Sequence, residues 1–147
     1  MVTDSGGGTR RYLVDSNILL DIASEDQEWQ GWSTEALAQA MRRGTVAINP
    51  LIYSEVSVGY DRIEALDDAL PQHLYMRLPL PYEAGFLAGK AFAQYKARGG
   101  GKSAPLPDFF IGAHAAISGL TLITRDAARC RTYFPTVDLV TPRGRDR

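Results

Sequence analysis

Apolar residues fall along this chain in two alternating rhythms, short unbroken runs and longer stretches that repeat every three or four positions. Residues 11–14 are a β-prone run ending at Asp15, and Ile18, Leu19 and Ile22 follow at helical spacing, which predicts a strand, a sharp turn and a helix. Ser33 is placed to cap a helix carrying Leu37, Ala40 and Met41 on one face, with Gly44 ending it. Residues 45–48 read as a strand, and Asn49 and Pro50 open a helix in which Ile52, Val56 and Tyr60 recur four apart with Glu55 beside them. Residues 63–70 predict another helix and residues 74–78 another strand. The cleanest period follows Pro81: Ala84, Leu87, Ala88, Ala91, Phe92 and Tyr95 share one helical face, and Gly99 stops it. After a loop rich in Gly, Ser and Pro over residues 99–107, Asp108 opens a helix with Ile111, Gly112 and Ala115 inward and Gly119 as terminator. Residues 120–124 read as a buried strand stopping at Arg125 and Asp126, and residues 137–140 supply the last one. Strands alternating with helices predict a parallel sheet covered on both faces, in a single α/β domain.

Composition narrows the chemistry. At 147 residues the chain suits one domain, drawn here over residues 11–141, with a flexible glycine-bearing lead-in at 1–10 and a polar tail at 142–147. No apolar run approaches the roughly 20 residues that span a bilayer, and the first ten residues hold no hydrophobic signal core, so a cytoplasmic, membrane-free protein is expected. Cys130 is the only cysteine and His73 and His114 the only histidines, so a Cys/His zinc cage is excluded and any metal must take oxygen ligands. The net charge is only −1, yet residues 1–73 hold five Lys/Arg against twelve Asp/Glu and residues 74–147 eleven against five. A basic surface from Lys96, Arg98, Lys102, Arg125, Arg129 and Arg131 could therefore follow a phosphate backbone; an ordinary solvated surface explains the same counts.

Four carboxylates stand out. Asp15 and Asp126 follow directly after predicted strands, where ligands gather in open α/β sheets, while Asp108 and Glu55 sit on helices that can face the same end. Taken singly, each aspartate reads first as a helix cap and Glu55 as a solvent-facing residue. Packed together, such acids repel and need a cation to neutralise them; Mg²⁺, or Mn²⁺, suits oxygen ligands and phosphodiester chemistry. Water would then attack phosphorus in line, with a carboxylate taking its proton and the cation stabilising charge on the phosphate and leaving oxygen.

The local context decides between these readings. The blocks Val14-Asp15-Ser16-Asn17-Ile18-Leu19-Leu20-Asp21, Tyr53-Ser54-Glu55-Val56, Pro107-Asp108-Phe109-Phe110-Ile111-Gly112-Ala113-His114-Ala115 and Leu122-Ile123-Thr124-Arg125-Asp126 resemble, in order and separation, the PIN-domain toxins of the VapC type. The resemblance implies a three-layer α/β/α domain with a central parallel sheet of about five strands. It implies Asp15, Glu55, Asp108 and Asp126 around one or two divalent ions, with Ser16, Asn17 and Thr124 in support. It further implies an endoribonuclease toxin, usually a homodimer, paired with a small VapB-like antitoxin that blocks the pocket and carries the contact with operator DNA. Ser16 replaces a frequent Thr and keeps the hydroxyl. Lys102 and Arg125 are candidate contacts to RNA phosphate. Two other classes stay open at this point, a PIN-type nuclease of housekeeping RNA or DNA processing and a non-catalytic PIN-like scaffold.

Other signals are set aside. Residues 99–103 suggest a P-loop, but Lys96 stands where its first Gly is required and a helix precedes it. His114 lies six residues after Asp108, about 240° round the helix, and points away from that acid. Trp29 and Trp32 read as packing aromatics, and Asp21 as a plain exposed helical residue rather than one at the pocket rim.

Overall fold

The computed structural model describes residues 9–99 and 105–142. The expected lead-in and tail therefore lie largely outside the described residues, as does Lys102 with most of the glycine-rich loop. Five strands, β1 (Arg10–Val14), β2 (Gly44–Ile48), β3 (Tyr75–Arg77), β4 (Thr121–Ile123) and β5 (Leu139–Val140), form one sheet in the order β3-β2-β1-β4-β5. Every pairing is parallel. Among the described residues seven helices connect them: α1 (Ser16–Ala23), α2 (Gln30–Arg43), α3 (Pro50–Ser57), α4 (Ile63–Ala69), α5 (Tyr82–Ala97), α6 (Pro107–Ser118) and α7 (Ala127–Tyr133). The α/β class, the single domain and the five parallel strands are as the alternating rhythms predict.

Strand β1 is central because its residues can be buried on both faces: Tyr12, Leu13 and Val14 are nearly inaccessible, and Val46, Ala47, Ile48, Leu122 and Ile123 flank them. These residues join Ile18, Ile52, Val56, Ile111 and Ala115 in the main core. A smaller core forms where the alanine face of α5 (Ala84, Ala88, Ala91) lets α6 approach closely, closing over Phe109, Ala113 and Phe134. None of the helices is long and apolar enough to cross a membrane among the described residues.

Two local expectations need correcting. Ser33 does not cap α2: the helix starts at Gln30, Asp26 accepts the Glu28 and Trp29 amides in the turn before it, and Ser33 is buried within the helix. Gly44 is not a left-handed terminator either, since its φ of −178° is extended and it already begins β2. It is glycine because a Cβ there would lie 1.9 Å from the carbonyl oxygen of Arg10, its partner on β1. Gly119, at φ 66°, does end α6 in the left-handed region.

Candidate active site

The chain leaves β1 toward β2 and β3 on one side and returns to β4 and β5 on the other, so the sheet reverses direction between β1 and β4. Loops leaving the carboxyl ends of such neighbours diverge and open a crevice. Asp15 ends β1, its amide donating to the Ile123 carbonyl at 2.9 Å, and Thr124 and Asp126 leave the end of β4 beside it. Helix α3 brings Glu55 and α6 brings Asp108. The resulting polar hollow of about 280 Å³ is lined by all four predicted carboxylates, with Ser16, Asn17, Gly112, Arg129, Cys130 and Phe134 among the other walls. A second hollow of about 330 Å³, lined by Ile48, Tyr53, Leu78 and neighbours, is mainly apolar and holds none of the four.

Capping does not account for these acids. Asp15 and Asp126 occupy the N-cap positions of α1 and α7, yet Asp126 bonds no amide of α7, and Asp15, though the Asn17 amide acts on its carboxylate, takes its short hydrogen bond from the Thr124 hydroxyl. Asp108 sits in the first turn of α6, after Pro107. By contrast Asn49 caps α3 through Ile52 N–H at 2.9 Å, showing what a cap in this protein looks like. The acids instead face one another's partners. The Thr124 hydroxyl donates to Asp15 Oδ2 at 2.7 Å and accepts the Asp126 amide at 2.9 Å. The Ser16 hydroxyl donates to Glu55 Oε1 at 2.6 Å, and Asn17 Nδ2 lies 3.4 Å from Asp15 Oδ2.

Burial pushes the Asp15 carboxyl up to about 6; the Thr124 hydrogen bond opposes the rise, and the charges of Glu55 and Asp126 add to it. Asp108 is also raised, by burial first, against the pull of Arg129. Cys130 lies in the same wall with its thiol pushed up to about 12 by burial and by Asp126 and Asp15, which leaves it an inert thiol rather than a nucleophile.

Does this set suit a divalent ion? The donors are carboxylate, hydroxyl and amide oxygens, as Mg²⁺ prefers, and Asn17 Oδ1 is buried at the pocket without a hydrogen-bond partner. Among the described residues no three acids stand in ligating geometry. The donor chemistry of the pocket fits a divalent ion.

Residues 12–135 match the PIN domain family. The chain belongs to that family. Its PIN fold is also shared with solved structures: a toxin–antitoxin complex from Klebsiella pneumoniae (25% identity, TM-score 0.62, covering 89% of this chain and 97% of that one); VapBC2 from Rickettsia felis bound to a DNA fragment from the promoter (17%, 0.66, 89% and 98%); and FitAcB from Neisseria gonorrhoeae (17%, 0.57, 87% and 95%). No curated protein sequence matches the chain significantly.

Three assignments change within this PIN domain. Arg125 does not line the pocket: its guanidinium holds Asp21 at 2.8 and 2.9 Å and stacks 4.8 Å from the Trp29 ring. Asp21 is buried rather than exposed, and also accepts the Ser33 hydroxyl at 2.7 Å. The pocket's cation is Arg129, which pairs with Asp126, lies 4.0 Å from Asp108 and stacks on Phe109. Its i, i+3 spacing from Asp126 was the available signal. His114 is packed, as expected, with Nδ1 2.9 Å from Asn49 Nδ2 and its affinity for a proton lowered by burial and by Arg11.

Proposed function

We propose that this PIN domain is a divalent-cation-dependent endoribonuclease acting as the toxin of a type II toxin–antitoxin pair. The observation that carries the reading is the meeting, at the β1/β4 switch point, of four carboxylates from four separate chain segments. Asp15, Asp108, Glu55 and Asp126 would hold Mg²⁺ or Mn²⁺, with Asn17 Oδ1 available to a coordinated water. When bound, the cation would stabilise charge developing on phosphate oxygens.

The protein's own groups supply the rest. Ser16 fixes the rotamer of Glu55 and Thr124 that of Asp15, while Thr124 also ties Asp126 to the end of β4. One of these carboxylates takes the proton of the water that adds to phosphorus; the phosphorus–oxygen ester bond opposite breaks with its electron pair on the leaving oxygen, which takes up a proton from solvent to leave as a hydroxyl. RNA as the substrate, a small antitoxin that covers the pocket, a homodimeric state and action in the cytoplasm belong to the same proposal. The likeness to toxin–antitoxin complexes supports the partner.

The test is cleavage of RNA by protein purified free of any partner, with Mg²⁺ or Mn²⁺ against EDTA. Asp15→Asn and Asp108→Asn should each lower the rate at least about 100-fold. Undiminished cleavage by either variant, or none by the wild type with either cation, overturns the reading.

A further inference from the structure

Resting on the proposed cation site, we infer that Arg129 is its built-in competitor: the guanidinium occupies the metal-free acid pocket as a counterion and must leave Asp126 and Asp108 for a divalent ion to bind. The placement is specific. From the first turn of α7, Arg129 lines the pocket itself, pairs with Asp126 and reaches to 4.0 Å of Asp108, so one guanidinium spans acids from two elements. The guanidinium itself lies over Phe109, its Cζ 5.5 Å from the ring centroid, and Phe109 is fully buried among Phe92, Tyr95 and Tyr133. The ring face thus supports the charge beside the acids independently of its pair with Asp126. Asp126 is turned to Arg129.

Two cations cannot share the same carboxylate oxygens without mutual repulsion, so whatever draws Arg129 away tightens the divalent site, and the divalent ion in turn frees Arg129. A phosphodiester entering the pocket offers the displaced guanidinium a planar, bidentate anion within reach. Arg129 thereby couples cation occupancy to the presence of nucleic acid. In the absence of substrate, the pair it makes with Asp126 keeps the site weakly charged with metal.

The experiment is calorimetric titration of Mn²⁺ into the wild type and into Arg129→Gln, Arg129→Lys and Arg131→Gln. Arg131→Gln removes the same charge from the same helix outside the pocket lining. Arg129→Gln should bind Mn²⁺ about five- to tenfold more tightly, Arg129→Lys close to wild type, and Arg131→Gln within about twofold of it. Equal or weaker binding by Arg129→Gln, or an equal gain in Arg131→Gln, overturns the inference. A measurement on the unaltered protein guards against misfolding: in ¹⁵N spectra, Mg²⁺ should move the Arg129 Nε–H resonance and leave that of Arg125, held by Asp21, in place. A stationary Arg129 signal at saturating Mg²⁺ overturns it equally. Tighter Mn²⁺ binding by Arg129→Gln in a protein that cuts no RNA would uphold the competitor and sink the nuclease; no Mn²⁺ binding by any variant would sink both.

Discussion

Asp15 carries a conflict within one side chain. It is held among other acids at the end of the central strand, and burial raises its carboxyl from 3.8 to about 6, so the folded protein keeps a proton there that the unfolded chain releases. The sign follows directly. Because the native state binds that proton more tightly, stability is fully present below about pH 4 and declines as the pH rises through 6. At neutral pH the ionised carboxylate therefore destabilises the metal-free fold, by about 1–3 kcal/mol at one pKa unit per 1.4 kcal/mol. Asp15→Asn should accordingly melt several degrees above wild type at pH 7.5 in EDTA and lose that advantage at pH 4. Saturating Mg²⁺ should narrow the gap at pH 7.5 by stabilising the wild type alone. Thermal melts across pH, with and without cation, check all three statements; a variant less stable than wild type at pH 7.5 in EDTA contradicts them.

At the scale of elements, the Asp21, Arg125, Ser33 and Trp29 cluster ties α1 and α2 to the loop between β4 and α7. Arg125 stands between Thr124, which orients Asp15, and Asp126, so this clamp sets the two acids on adjacent strand ends. Arg125→Ala leaves Asp21 buried and short of its countercharge and should destabilise the fold by about 3 kcal/mol. Arg125→Lys should recover part of that and less of the cleavage rate, since a single ammonium cannot reproduce the two guanidinium bonds. Chemical denaturation and rate assays on the two variants separate these effects, and a loss below about 1 kcal/mol for Arg125→Ala would remove the clamp.

The same cluster marks where reading by sequence ran out. The α5 stripe, the β-prone runs and the left-handed Gly119 are local patterns and were legible as such. Asp21 looked exposed because its partner Arg125 lies 104 residues away. Ser33 looked like a cap because Ser is a good one, but the fold needed its hydroxyl for Asp21 and left capping to Asp26. Gly44 looked like a terminator, whereas its glycine answers to Arg10 across the sheet. For the four acids position alone does not separate a shared site from helix caps; their motif surroundings group them, and the fold brings all four to one pocket.

Taken whole, the molecule gathers three cations of its second half around one aromatic cluster. Lys96 lies over Phe92, Arg98 over Tyr133 and Arg129 over Phe109, and these rings contact one another at centroid separations of 5.5 and 5.8 Å. A net charge of −1 thus hides a basic edge that leads to an acidic pocket. Single-stranded RNA should bind Asp15→Asn with a strong salt dependence, weakening about twentyfold between 50 and 200 mM salt if some three phosphates are neutralised. Fluorescence anisotropy reads this directly, and a flat response would show that the edge does not track phosphate.

The hydrogen bond from Thr124 to Asp15 joins residues 109 positions apart, and the central strand is the first to leave the ribosome while its neighbour β4 is among the last. At translation rates of roughly 5 to 20 residues per second, some 5 to 20 s separate the two. No nascent or prematurely ended chain lacking β4 can assemble the pocket. The pocket is thereby withheld until β4 has been made, and any protein made alongside the chain has those seconds in which to be waiting.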